Sequence, residues 1–163
     1  MSQSVEDRLV HLGLTLPESP ASLGNYVLAR VSGETLFLSG HLGVQDGVVV
    51  AGKVGQDIER HQAYELARGA AIAMLASARE ALGSLDRLRG VVKVTGFVNS
   101  AADFTDHSAI VNGASDLFVE VLGPERGRHA RSAVGVAQLP RGAAVEIEAV
   151  FEVATADPER SDN

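Results

Sequence analysis

Between residues 57 and 83, apolar side chains recur every three or four positions: Ala63, Ala67, Ala70, Ala71, Met74, Leu75, Ala78 and Leu82. That period puts them on one face of a helix, which Asp57 opens and Gly83 stops. A helix with one greasy stripe must bury it, and a stripe made mostly of alanine predicts close approach to a sheet. A second stripe, Ile110, Val111, Ala114, Leu117, Phe118, Val121 and Leu122, marks a helix from about Asp103 or Thr105 to Leu122, ended by Gly123-Pro124.

The rest reads as short strands. Tyr26 to Val31, Thr35 to Gly40 and Val48 to Val50 come before the first long helix, with turns at Ser32-Gly33-Glu34 and Asp46-Gly47. Val91 to Asn99 lies between the helices. Arg131–Gln138 and Ala144–Val153 follow a charged loop, Glu125 to His129. Ser4 can cap a short helix to about Leu12, stopped by Gly13. We divide the chain into a helical extension over 1–17, one domain over 18–154 and a polar tail over 155–163. The expected architecture is α+β, a mixed sheet with two amphipathic helices on one face. The other face needs a cover. Val134, Val136, Val145, Ile147 and Val150 are taken to line it, and an oligomer interface is the economical solution.

Composition excludes more than it suggests. The 163 residues contain no Cys, which removes disulfides, thiolate metal sites and a Cys nucleophile. The formal net charge of -7, with 4% aromatic residues and no Trp, lacks the footprint of nucleic-acid binding. The five His residues show neither HxH nor HExxH spacing, so neither a metal nor another cofactor is expected. His41 and His129 read as surface residues. Gly40-His41-Leu42-Gly43 lacks a phosphate-cradle frame, and no GxSxG elbow occurs. The first residues are polar and acidic, and no apolar run of about 18 exists, so the expectation is a cytoplasmic protein without a membrane partner.

One segment carries chemistry. Ala130-Arg131-Ser132-Ala133 leads through an apolar run to Leu139-Pro140, and Val145-Glu146-Ile147-Glu148 follows. On periodicity alone, Arg131 is an edge cation and the two glutamates are the wet side of a half-exposed strand. The pattern Ala-Arg-Ser, Leu-Pro, then apolar-Glu-apolar-Glu nevertheless resembles the signature of the RidA (YjgF) family of enamine/imine deaminases. Tyr26, then Leu38-Ser39-Gly40, Asp103-Phe104 and Val111-Asn112 extend the resemblance over roughly residues 18–154. Ala133 stands where the family's archetype has Cys, and His41 where Gln is usual. These departures place the chain in a divergent subgroup.

The resemblance implies a chorismate-mutase-like fold, a homotrimer with sites between subunits, and a small 2-imino or 2-keto acid as partner. The implied reaction is metal-free hydrolysis of intermediates such as 2-aminoacrylate to 2-keto acids and ammonia. Arg131 would grip the substrate carboxylate. Glu146 would activate water and pass a proton to the leaving amine, Tyr26 and Ser39 would hydrogen-bond substrate or water, and Gly40, Asn112 and Ala133 would line the binding site. Two alternatives stand beside this: a non-catalytic module for small carboxylates, and an endoribonuclease. The overall charge disfavours the latter, although Arg126, Arg128 and Arg131 can form a local basic patch.

Spacing adds a constraint. If the last two strands form a hairpin about Arg141, Arg131 and Glu146 lie ~13–17 Å apart along the ladder. One small acid cannot touch both. Either the hairpin is absent or the two residues meet across a subunit boundary, which the implied trimer favours.

Overall fold

The structure is a computed structural model and describes residues 4–155. The predicted polar tail, from residue 156 on, lies outside the described residues. Helix α1 (Val5–His11) opens on Ser4, whose hydroxyl accepts from the Asp7 N–H at 3.0 Å. Strands β1 (Ala29–Ser32) and β2 (Thr35–Leu42) turn about Gly33. Strands β3 (Val44–Gln45) and β4 (Val48–Val49) form a separate two-stranded hairpin. Its turn, Asp46-Gly47, has positive φ at both residues, as two-residue hairpins favour. Helix α2 (Arg60–Leu82), β5 (Leu88–Asn99), α3 (His107–Leu122), the single turn α4 (Pro124–Gly127), β6 (Ala130–Val136) and β7 (Val145–Val153) complete the order.

The main sheet runs β1-β2-β7-β5-β6. All neighbours are antiparallel except β5 and β6, whose parallel pairing is made possible by the crossover through α3. Alternation along the strands separates two faces. Leu36, Leu38, Val94, Val98, Val145, Ile147 and Phe151 are buried on the face toward α2 and α3. Phe37, Val134 and Val150 lie on the other face, where Phe37 is 49% exposed. A mixed sheet with helices on one side is therefore the architecture.

Several expectations need correction. The last two strands do not form a hairpin, because β5 lies between β6 and β7. Val145 and Ile147 face the helices rather than the open side. The first strand begins at Ala29, leaving Tyr26 in the exposed segment before it. The long helix begins at Arg60, since the Asp57 carboxylate is occupied by the Lys53 N–H at 2.9 Å in a preceding turn. The second helix begins at His107, after Asp106. Part of the charged loop 125–129 folds into α4.

Helix α2 packs on the sheet, as expected, and also crosses α3 closely. The tightest backbone approach recorded for α2 is to α3: a Cβ at Gly113 would overlap the Tyr64 carbonyl oxygen and lie 3.0 Å from the Arg68 nitrogen. Small side chains on both helices permit this crossing. At the link between β2 and β3, the Cβ of Leu66 would sit 2.9 Å from a Cβ at Gly43.

Candidate functional site

The predicted residues fall into two separate groups. The first is built on an irregularity in β2. Leu38 pairs with Ala149 and His41 with Ile147, so three steps on β2 oppose two on β7. The extra residue is a bulge at Ser39-Gly40, a device that re-aims side chains. The missing Cβ of Gly40 is what admits Glu146, whose Oε1 occupies the place a methyl would need. Glu146 is half-buried there, and burial pushes its carboxyl above the ordinary carboxylate range, with Glu148 on the same strand face adding to the rise. Tyr26, 48% exposed, lines the same cavity as Gly40 and Glu146. Ser39 belongs only partly to this group. Its hydroxyl donates to the Val27 carbonyl at 2.7 Å, and it lines a neighbouring cleft with Lys93, Thr95 and Glu148. Its proton is thus already committed, and only its oxygen is left to accept.

The second group sits at the far edge of the sheet. Arg131 pairs in register with buried Val94, so its side chain leaves on the helix face. Its Nη1 donates to Asn112 Oδ1 at 2.7 Å and to Ser115 Oγ at 3.1 Å. Both acceptors are neutral, and no carboxylate pairs with Arg131 among the described residues. A guanidinium held by neutral oxygens keeps its charge available for an anion. Ala133, two residues on and half-buried, shares that face and is a small floor beside it. Asn112 therefore holds Arg131 and does not cap its own helix.

Glu146 pairs in register with Phe97 and leaves on the opposite face of the sheet from Arg131. Two strand spacings and a three-residue offset also separate their backbones by about 14 Å. Within one chain the two residues cannot share a small ligand.

Some functional partners were missed in the sequence. Ser115 lies one turn after Asn112 on α3, a spacing that marks it as the second support of Arg131. Ser115 also donates to His129 Nε2 at 2.9 Å, while His129 Nδ1 bonds the Gly127 carbonyl at 2.6 Å. His129 is thereby half-buried, not free on the surface, and burial is the main cause that lowers its pKa.

His41 is the larger surprise. It is only 3% exposed. Its Nδ1 bonds the Ser39 carbonyl at 2.7 Å, so the proton sits on Nδ1 and Nε2 accepts from Ser77 Oγ at 2.8 Å. Ser19 Oγ lies 3.1 Å from Ser77 Oγ and continues the chain to the segment before β1. The sequence signal was Ser77 itself, a hydroxyl inside the apolar run of α2. Burial holds the His41 pKa below its ordinary 6.5. The unfolded chain thus binds the proton more readily, so this stability is present above 6.5 and is lost as pH falls below it. His41→Gln is expected to flatten that loss, and thermal melts of both proteins between neutral and mildly acidic pH would show it. Ser77→Ala leaves Nε2 without a donor and is expected to cost about 1–3 kcal/mol.

Among the described residues, no three His, Asp or Glu side chains gather as metal ligands. No helix among them is long and apolar enough to cross a membrane.

Comparison with known proteins agrees with the mixed α+β fold. The profile of the family described as "YjgF/chorismate mutase-like, putative endoribonuclease" matches residues 6–149. Protein TCP17 of Trypanosoma cruzi is 45% identical over 93% of this chain and 96% of its own. A 2-iminobutanoate/2-iminopropanoate deaminase of Dermatophagoides farinae is 30% identical over 86% of this chain and 94% of its own. The crystal structure of Atu1372 from Agrobacterium tumefaciens, a protein of unknown function, superposes with a TM-score of 0.83 at 42% identity, covering 92% of each chain. With a family profile spanning most of its length and these relatives beside it, the chain belongs to the YjgF/RidA family.

Proposed function

We propose that the protein hydrolyses short-lived enamines and imines of 2-keto acids, at sites formed between copies of a homotrimer. The observation that carries this reading is the division of the site. One sheet face offers a half-buried Glu146 with a raised pKa, and the other edge offers Arg131 with no carboxylate partner among the described residues. Each is half of what a 2-imino acid needs, and association of two copies brings the halves together. The partly exposed apolar residues on the open face, Phe37 and Val134 among them, supply a surface for that association.

The chemistry follows from the groups. Arg131 of one copy binds the substrate carboxylate. Protonated Glu146 of its neighbour gives a proton to C3 of the enamine, which becomes the iminium ion. The carboxylate then takes a proton from water as the water oxygen bonds to C2. Glu146 returns that proton to the amine nitrogen, the C2–N bond breaks with its electron pair leaving on nitrogen, the hydroxyl proton passes back to the Glu146 carboxylate as C2=O forms, and ammonia and the 2-keto acid depart with Glu146 protonated as at the start. Water supplies the new oxygen, so no cofactor is consumed. Ala133 in place of a Cys is compatible with this route, because no covalent intermediate forms.

The test generates 2-aminoacrylate in situ and follows keto acid above the spontaneous rate. Wild type is expected to accelerate it and Arg131→Ala to lose that acceleration. Mixing unfolded Arg131→Ala with unfolded Glu146→Gln and refolding them together should restore about a quarter of the sites, since each intact site draws one residue from each neighbour. Ligand binding without turnover by wild type would instead favour a metabolite-binding module. Failure of the mixture to recover activity would refute the shared site.

A further inference from the structure

The cavity that holds Glu146 is much larger than a three-carbon imine requires. It has a volume of about 350 Å³, within the range of sites that hold drug-sized molecules, about 300–1,000 Å³. On this chain it is lined by the segment before β1, strand β2, the β3–β4 hairpin, α2 and the Pro140-Arg141 turn. Beyond Glu146 the lining is mainly apolar, with Leu23, Leu28, Leu42, Val49 and Ala73 contributing. His41 also borders it, but both its ring nitrogens are already bonded, to Ser39 and Ser77, so it offers a ligand no free polar atom. The charged residues there, Glu18 and Arg141, are exposed and belong to the rim.

Resting on the deaminase reading, we infer that this cavity receives the side chain of the substrate and that the preferred substrate is a 2-imino acid with a large apolar side chain, of four or more carbons. The imine carbon is trigonal. With the carboxylate drawn toward Arg131 of the neighbour and the nitrogen and water at Glu146, the third substituent points into the cavity. Polar or charged side chains would lose water against the apolar part of that lining. A methyl group would leave most of the space unfilled. Each methylene accommodated in an apolar pocket changes kcat/KM by about 10-fold or more.

The experiment generates imines in situ with an amino-acid oxidase acting on leucine, phenylalanine or alanine, and compares kcat/KM for their hydrolysis. The leucine- and phenylalanine-derived imines are expected to exceed the alanine-derived one by at least about 100-fold. Ala73→Phe and, independently, Val49→Phe fill the cavity from different elements, and each should lower that ratio by about 10-fold or more while the melting temperature confirms folding. Equal or better turnover of the three-carbon imine, or ratios unmoved in a folded variant of either kind, would overturn the inference and leave the deaminase reading standing. Absence of turnover with every imine would overturn both.

Discussion

Glu146→Gln is expected to lower enamine hydrolysis by about 10²–10⁴-fold and, at neutral pH, to raise the melting temperature. The first effect is the worth of a positioned acid–base group when its proton can no longer be exchanged. The second follows from the raised pKa. Burial, and then Glu148, disfavour the charged form in the folded protein. In the window between the ordinary value of 4.5 and the raised one, the folded state binds more protons than the unfolded state, so stability falls as pH rises through it. Glutamine keeps the shape and removes the charge. The stability gain should therefore be present at neutral pH and vanish as pH drops below 4.5. A Gln variant that lost activity and also melted lower at neutral pH would point to a structural role, and would contradict the assignment of Glu146 as a group held at an energetic cost for its chemistry.

Gly113→Ala is expected to destabilise the fold by about 3 kcal/mol or more, at the upper end of what overpacking costs. The added methyl meets the Tyr64 carbonyl oxygen and the Arg68 backbone nitrogen, neither of which can rotate away. The helices α2 and α3 must separate, which loosens the contacts of Ala67, Ala71 and Ala114, all fully buried. For a chain of this size the melting temperature should drop by about 2–4 °C per kcal/mol. Gly33→Ala is a useful contrast: it has a strained φ of 59° but nothing within 4 Å of the new methyl. A smaller drop for Gly113 than for Gly33 would show that the crossing adapts.

Local chemistry was readable from the chain. The stripe of α2 located the helix to within three residues at its start and at Leu82 for its end, because a 3.6-residue period and a left-handed glycine at 83 are both local properties. The cap at Ser4 was readable for the same reason. The Arg131 and Glu146 pair stood out from its strand only through its likeness to a family signature. Periodicity alone describes Glu146 and Glu148 alike. In the structure they differ because the Gly40 bulge lies against one of them and not the other.

What the chain could not reveal was which strands neighbour one another. The expected strands Arg131–Gln138 and Ala144–Val153 are adjacent in sequence and separated by only five residues of loop, which invites a hairpin. The structure inserts β5 between them, since β6 returns through α3 to pair in parallel with β5. Through β5, Arg131 sits beside Val94 and Glu146 beside Phe97, an odd number of steps apart and hence on opposite faces. Val145 and Ile147 face inward. His41 was misread for a related reason. A lone His in a Gly-flanked strand end looks wet, and its burial rests on Ser77, thirty-six residues away on another element.

The long helices, their glycine stops, the turn glycines and the residue types available for chemistry are local properties, because each depends on neighbours a few positions away. The strand order, the burial of His41, the cavity beside Glu146 and the separation of that carboxylate from Arg131 came from the assembled fold. These depend on contacts between residues far apart in the chain, where one change of strand pairing sends every side chain of a strand to different company.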